Sequence, residues 1–343
     1  MKKHRVGIIG YGWAASAHIA AINATRQGQV SAVFSSRPLD GSEVAAAHGG
    51  GILCHTDLDA FLASVDVVDI CSLPALHHEH AMAAIRAGKH LILEKPMAMS
   101  LAGCREIVLA AEVAKVRGCV CLECRFSSQF LATKALLDEG LIGEVHYGEV
   151  DYYHGIGPWY GQFRWNTGRE NGGSALLTAG CHALDALLLC MGGRVESVTS
   201  LSGKSRSPVF EPYEYDTTSV TLVRFEDGRV GKCAAVVDCL QPYYFHTHLV
   251  GSEGSLLDDR FHSARLHTDK SGWSRLNLKM LDSGDVGDHP YQSQFQAFFD
   301  ALDEDRDMPL TSLGESLKTF EVLFAADRSA AEGGRPVSLA ELR

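Results

Sequence analysis

A short apolar run, Arg5-Val6-Gly7-Ile8-Ile9, leads directly into Gly10-Tyr11-Gly12-Trp13-Ala14-Ala15, and a helical pattern through Ile19 and Ile22 follows. Few folds accept glycines at that spacing between a strand and a helix. Gly10-x-Gly12-x-x-Ala15 in this setting is the fingerprint of a dinucleotide-binding turn. Gly10 makes the tight turn. Gly12 lets a pyrophosphate approach the backbone at the helix N-terminus, where the exposed N–H groups favour an anion. Ala15 replaces a third glycine and keeps the helix close to the strand. Tyr11, Trp13 and Ala14 complete the loop and are candidate cofactor contacts.

The alternation continues for about 125 residues. Further strands are expected at Val30–Phe34, Val67–Cys71, Leu91–Glu94 and Cys119–Leu122. Helical patterns lie between them at 43–48, 79–87 and 104–114, the second closed by Gly88. Strands separated by helices of about ten residues imply a doubly wound parallel sheet of Rossmann type. From residue 125 the pattern changes. Longer strands (144–153, 195–201, 217–225, 230–237 and 244–250) follow one another through turns such as Glu226-Asp227-Gly228-Arg229. They imply an α/β domain with a large open, mainly antiparallel sheet. Helices are expected at 132–139, 179–189, 294–302 and 314–332. The expected division is therefore 1–124 and 125–343, the final helix being able to pack back on the first domain.

Composition narrows the function classes. The formal net charge of −11 disfavours nucleic acid or an acidic membrane surface as partner. No apolar run is expected to reach the roughly 20 residues of a membrane span. The basic start, Met1 to Arg5, mimics a secretory leader, but Gly7, Gly10 and Gly12 break the apolar stretch after it. A cytoplasmic setting is expected. The ten cysteines include Cys119, Cys121 and Cys124, which read as buried reduced thiols, since no second pair stands at zinc spacing. No metal is expected.

Two segments outside the glycine loop carry chemistry. Glu94-Lys95-Pro96 ends a buried strand, where charges need partners or a ligand. Proline stops the strand and holds the lysine at the carboxyl edge of the sheet, where open α/β folds bind ligands. The second segment is Gly172-Gly173-Ser174 followed by Thr178, His182 and Asp185, which share one face of an α-helix at i, i+4 and i+7. A histidine there is a candidate acid/base. Just before it lie Tyr152, Tyr153, His154, Trp159, Tyr160, Phe163, Arg164, Trp165 and Asn166. Aromatic faces stack on sugar C–H bonds, and Arg and Asn bind hydroxyls; the cluster suits a sugar or polyol. His77-His78-Glu79-His80 looks like a metal site but reads better as a solvated helix face with one structural histidine. After the second strand come Ser35-Ser36-Arg37, with no acid until Asp40. A carboxylate would select NAD through the ribose hydroxyl; hydroxyls and a guanidinium suit a 2′-phosphate. NADP is the expected cofactor, with NAD possible.

Together these stretches resemble the Gfo/Idh/MocA family of nicotinamide-dependent sugar oxidoreductases. The likeness runs through Val6–His18, Leu73-Pro74-Ala75-Leu76-His77, Ala87–Pro96, Arg125-Phe126, Arg164-Trp165-Asn166, Gly172–Asp185 and Ala325–Leu339. The resemblance implies that Lys95 lies between nicotinamide and substrate and that His182 is the acid/base. It places Glu94 and His77 on the cofactor side and Arg125 and Trp165 near the nicotinamide; Leu73 and Pro74, within the matching stretches, are further cofactor candidates. Tyr153, Trp159, Arg164 and Asn166 of the aromatic and polar cluster, with Asp185 of the helical face, are the substrate candidates. Many members carry an aspartate where this chain has Thr178, a third candidate catalytic residue. Threonine can hydrogen-bond but holds no charge. The expected reaction is hydride transfer between NAD(P) and a secondary hydroxyl or ketone of a sugar, polyol or cyclitol. Two other readings stay open: a dinucleotide-sensing regulator without catalysis, and a redox-neutral enzyme that keeps its nicotinamide. The open sheet needs cover, so a homodimer or homotetramer is expected.

Overall fold

The structure is a computed structural model that describes residues 3–280 and 289–342. Met1 and Lys2, in the basic start, lie outside the described residues. The chain divides into two compact units, residues 1–123 with 290–318, and 124–289 with 319–343.

The first unit holds β1 (His4–Ile9), α1 (Trp13–Asn23), β2 (Gly28–Phe34), α2 (Gly41–His48), β3 (Leu53–His55), α3 (Leu58–Ser64), β4 (Val67–Ile70), α4 (His77–Arg86), β5 (His90–Leu93), α5 (Leu101–Ala114) and β6 (Gly118–Val120). The strands form one sheet in the order β3-β2-β1-β4-β5-β6, and every pairing is parallel. β4 is buried along its whole length, which is why its sequence is a continuous apolar run broken only by Asp69. Strand order reverses between β1 and β4. At such a switch point the strand ends part and leave a crevice. The short β3 and α3, the latter capped by Asp57 accepting from the Ala60 N–H, were not expected from the sequence.

The second unit holds α6 (Ser128–Asp138), β7 (Val145–Tyr153), the single turns α7 (Phe163–Asn166) and α8 (Arg169–Gly172), α9 (Cys181–Met191), β8 (Val195–Gly203), β9 (Thr218–Phe225), β10 (Val230–Val236), β11 (Tyr244–Gly251), β12 (Gly254–Leu257), β13 (Arg260–Ser263) and β14 (Ser274–Arg275). The remaining elements are α10 (Tyr291–Asp303), in the first unit, α11 (Leu313–Ala331), which runs from the first grouping into the second, and β15 (Val337–Ser338). The second sheet has nine strands in the order β14-β13-β12-β11-β7-β10-β9-β8-β15. Among the described residues, only β7 and β10 pair in parallel. β9 alternates strictly between buried and outward residues, as a sheet covered on one face must.

α9 covers the inner face. Gly148 on β7 makes room for it: a Cβ there would meet the Leu187 side chain at 3.1 Å and crowd Met191. The stretch Arg169–Met191 is long and apolar enough to cross a membrane by length and composition, contrary to the expectation, but 83% of its most apolar window is buried inside the protein. Packing within its own unit accounts for that apolarity.

Candidate active site

Gly10 follows β1 with φ of +92°, a left-handed conformation that side chains disfavour. A Cβ there would lie 2.8 Å from the Cys71 carbonyl oxygen at the end of β4. The turn thus sits in the switch-point crevice. Gly12 is the N-cap of α1 and has no side-chain cap, and a Cβ on it would meet nothing within 4 Å. Open space over uncapped N–H groups at the start of an 11-residue helix fits a pyrophosphate. Trp13 is 40% exposed beside this space, Ala14 is half-buried, and the Tyr11 hydroxyl pairs with His48 Nε2 at 2.9 Å.

After β2, Ser35 Oγ accepts from the Arg37 N–H at 3.3 Å, and Ser36 and Arg37 are exposed. Asp40 caps α2; the Ser42 hydroxyl, and then the N–H groups of Ser42 and Glu43, donate to its carboxyl and hold it below the usual range. That carboxylate is thereby committed to the helix. After β4, Leu73 is exposed and Pro74 opens a short 3-10 turn.

Glu94 ends β5 almost fully buried, and Lys95 behind it is half-buried. The Lys95–Pro96 peptide is cis. Glu94 Oε1 accepts from the Tyr291 hydroxyl at 3.0 Å and faces His18 Nε2 at 3.0 Å, while Oε2 accepts from the Lys95 N–H at 3.0 Å. Burial would raise the Glu94 pKa; the His18 hydrogen bond and charge, with Lys95, bring it down to about 2. The buried Glu94 carboxylate therefore has its partners inside the first unit.

The neighbouring histidines diverge. His77 Nδ1 lies 2.7 Å from the Pro96 carbonyl oxygen and Nε2 lies 3.0 Å from that of Ser72. Burial lowers its pKa. His77 thus braces the Glu94-Lys95-Pro96 segment against the end of β4. His80 Nδ1 meets Ser72 Oγ at 2.9 Å, and His78 points outward to Glu106.

In the second unit, Leu176–Gly180 is π-helical and passes into α9 at Cys181. This alters the regular α-helical spacing expected for Thr178, His182 and Asp185. All three are buried, but their recorded partners differ. Thr178 Oγ1 bonds Asn166 Oδ1 at 2.6 Å. The Tyr215 hydroxyl, at 2.7 Å from the Asn166 carbonyl oxygen and 2.8 Å from Oδ1, holds the same residue. Asp185 accepts from Arg125 Nε at 2.7 Å and Nη2 at 2.6 Å, and from the Thr319 hydroxyl at 2.7 Å. Arg125 and Asp185, expected on the cofactor and substrate sides, are joined as a bidentate buried pair. No local signal announces it: the two lie 60 positions apart.

Other expected substrate residues scatter. Tyr153 stacks on Tyr244 and its hydroxyl reaches Asp151. It lies on the sheet face opposite Gly148 and α9, so it does not join His182. Parity along β7 could have shown this, because Tyr152 takes the inner face. Tyr152, His154, Tyr160 and Tyr243 form an aromatic cluster. Trp159 is 61% exposed, with its indole N–H on the Gly155 carbonyl oxygen at 2.9 Å. Arg164 is exposed and Trp165 half-buried on α7. Seven of the ten cysteines are buried, and no disulfide is found among the described residues.

Residues 4–121 match the NAD-binding Rossmann domain of the GFO/IDH/MocA oxidoreductase family, and residues 130–257 match that family's C-terminal domain. The chain belongs to the GFO/IDH/MocA oxidoreductase family. Among its relatives, D-glucoside 3-dehydrogenase of Escherichia coli is 34% identical over 55% of this chain and 54% of its own. The scyllo-inositol 2-dehydrogenase (NADP(+)) IolW of Bacillus subtilis is 29% identical over 55% and 52%. The chain spans about half the length of the first curated relatives it matches. A levoglucosan dehydrogenase solved with NADH and levoglucosan shares the fold, with a TM-score of 0.84 at 22% identity over 98% of this chain and 99% of its own.

Proposed function

We propose that this protein is an NAD(P)-dependent oxidoreductase that transfers hydride between the cofactor and a secondary hydroxyl or ketone of a sugar, polyol or cyclitol. The observation that carries the reading is the open, uncapped N-terminus of α1 at the switch point, in the same unit as Lys95 at the end of β5. A bound NADP+ supplies the hydride acceptor at its nicotinamide C4. His182 takes the hydroxyl proton as the C–H hydride departs, and in reduction returns it. Lys95 stabilises the negative charge that develops on the substrate oxygen. Asn166, held by Thr178 and Tyr215, binds a substrate hydroxyl. The names of the relatives support a sugar or cyclitol substrate.

NADP is the preferred cofactor. Arg37 is exposed and forms no ion pair among the described residues, and Asp40 is engaged as a cap. An Arg37→Asp variant is expected to raise the KM for NADPH by at least about tenfold, the loss of one charge-assisted contact. A wild-type preference for NADH would overturn this choice. The outer face of the nine-stranded sheet exposes Leu201, Val220, Leu222 and Val230, and supports self-association as a dimer or tetramer. Sedimentation of a monomer at working concentration would overturn that part.

The test of the activity is a panel of polyols, aldoses and keto-sugars followed by NADPH absorbance. Lys95→Met and His182→Ala are expected to lower kcat by about a hundredfold or more with folding intact. Tight NADPH binding without turnover on any member would favour the regulator instead.

A further inference from the structure

His18 lies on α1, completely buried, and belongs to no step described so far. Its Nδ1 is 2.9 Å from Asp69 Oδ2 and 3.1 Å from Oδ1; its Nε2 is 3.0 Å from Glu94 Oε1. An ionised carboxylate only accepts hydrogen bonds, so a ring facing one on each side needs a proton on each nitrogen. The groups around it come from every neighbouring element. Asp69 lies on β4, with Cys71 Sγ just beyond it at 3.3 Å from Nδ1. Glu94 and Lys95 stand at the end of β5. Cys119 lies on β6, Cys121 just beyond it, and Glu123 further on. Tyr291 and Phe295 of α10 pack on the ring, at 4.3 and 5.0 Å between centroids. His77 faces Glu94 and Lys95 from the start of α4.

We propose that His18 is a positioning residue, a permanently protonated imidazole that keeps the Glu94 carboxylate ionised and aimed at the Lys95 backbone N–H, and through it fixes the lysine at the cofactor edge. The claim rests on the reading of Lys95 given above. Burial opposes a charge on His18, but Asp69 reverses the balance and lifts its pKa well above the ordinary value. Glu94 is depressed chiefly through the same imidazole. Without it, the carboxylate is left to Lys95 and Tyr291 and takes up a proton at much higher pH.

The test uses the full chain and two readouts. Nitrogen-15 NMR of the histidine rings, with His18→Gln identifying the signal, is expected to show both nitrogens of His18 still protonated at pH values where a free imidazole has lost its proton. A neutral ring overturns the proposal. The second readout is NADPH affinity for wild type, His18→Gln, Glu94→Gln and the double variant. The loss in His18→Gln should grow by about tenfold as pH is lowered and Glu94 protonates. The double variant should bind no more weakly than Glu94→Gln, because His18 acts through Glu94. A pH-independent loss that adds to that of Glu94→Gln indicates packing alone and overturns the proposal. Lys95→Met with full turnover would instead sink the functional reading of Lys95, while leaving the two-nitrogen result to decide the charge on His18.

Discussion

Removing the Arg125 side chain would leave Asp185 as a buried carboxylate with only the Thr319 hydroxyl as a recorded partner. Arg125 is 5% exposed and Asp185 1%, and both carboxylate oxygens accept from the guanidinium. Water cannot replace such a partner at little cost. Breaking a buried pair on one side costs about 3–5 kcal/mol, and removing both charges in favour of apolar side chains is close to neutral. Arg125→Ala is therefore expected to lose about 3–5 kcal/mol. For a unit of this size each kcal/mol moves Tm by about 2–4 °C, giving a fall of roughly 6–20 °C. Asp185→Leu should also destabilise the fold, because it removes the carboxylate that both guanidinium nitrogens donate to. The Arg125→Met/Asp185→Leu double variant should recover most of the loss. Thr319→Val, which removes one bond to the charged oxygen, should lose about 1.5–3 kcal/mol. Urea unfolding followed by circular dichroism, with Tm by calorimetry, measures all four. If Arg125→Ala loses under about 1 kcal/mol, or the double variant loses the sum of the singles, the pair is not a buried, coupled contact.

Three further outcomes follow from the same physical reasoning. Glu94, held at about 2 in the fold, contributes stability that is complete above its unfolded pKa of about 4.5. That contribution is lost as pH falls toward the folded value, so Glu94→Gln should flatten the stability curve between about pH 5 and pH 2; an unchanged slope refutes it. Gly10→Ala forces a side chain into a positive φ against the Cys71 backbone. It should cost about 1–3 kcal/mol and abolish detectable NADPH binding, measured by thermal shift and fluorescence titration. Cys71, pushed up to about 12 by burial and then by Asp69, should react with iodoacetamide near neutral pH roughly a thousandfold more slowly than a free thiol, as read by peptide mass spectrometry.

What the sequence revealed followed the range of the signal. The turn at Gly10 and the strand end at Glu94 are local, set by residues within one strand and its neighbouring turn, and both stand where the pattern put them. The parity of β9 and the hairpin at Gly228 were legible for the same reason. Leu53–His55 is only three residues long and offers no period to count. The His18–Asp69–Glu94 contacts span 51 and 76 positions, so pairwise chemistry appears only when the sheet brings its strand ends together. The expected regular helical face through Thr178 failed at a single turn, because alternation in an apolar stretch cannot distinguish an α turn from a π turn. Tyr153 was assigned by composition, whereas its place is decided by one step of strand parity.

That π turn uncouples what lies on either side of it. In an uninterrupted α-helix, changing the residue at Thr178 would act on a face phase-locked to His182 and Asp185. Here Leu176–Gly180 takes up a different pitch before Cys181, so the residue that grips Asn166 is geared separately from the residue that grips Arg125. A substitution at Thr178 is therefore expected to act on Asn166 while His182 and Asp185 keep their orientation. The contact to Asn166 can thus change without rebuilding the helix that carries His182.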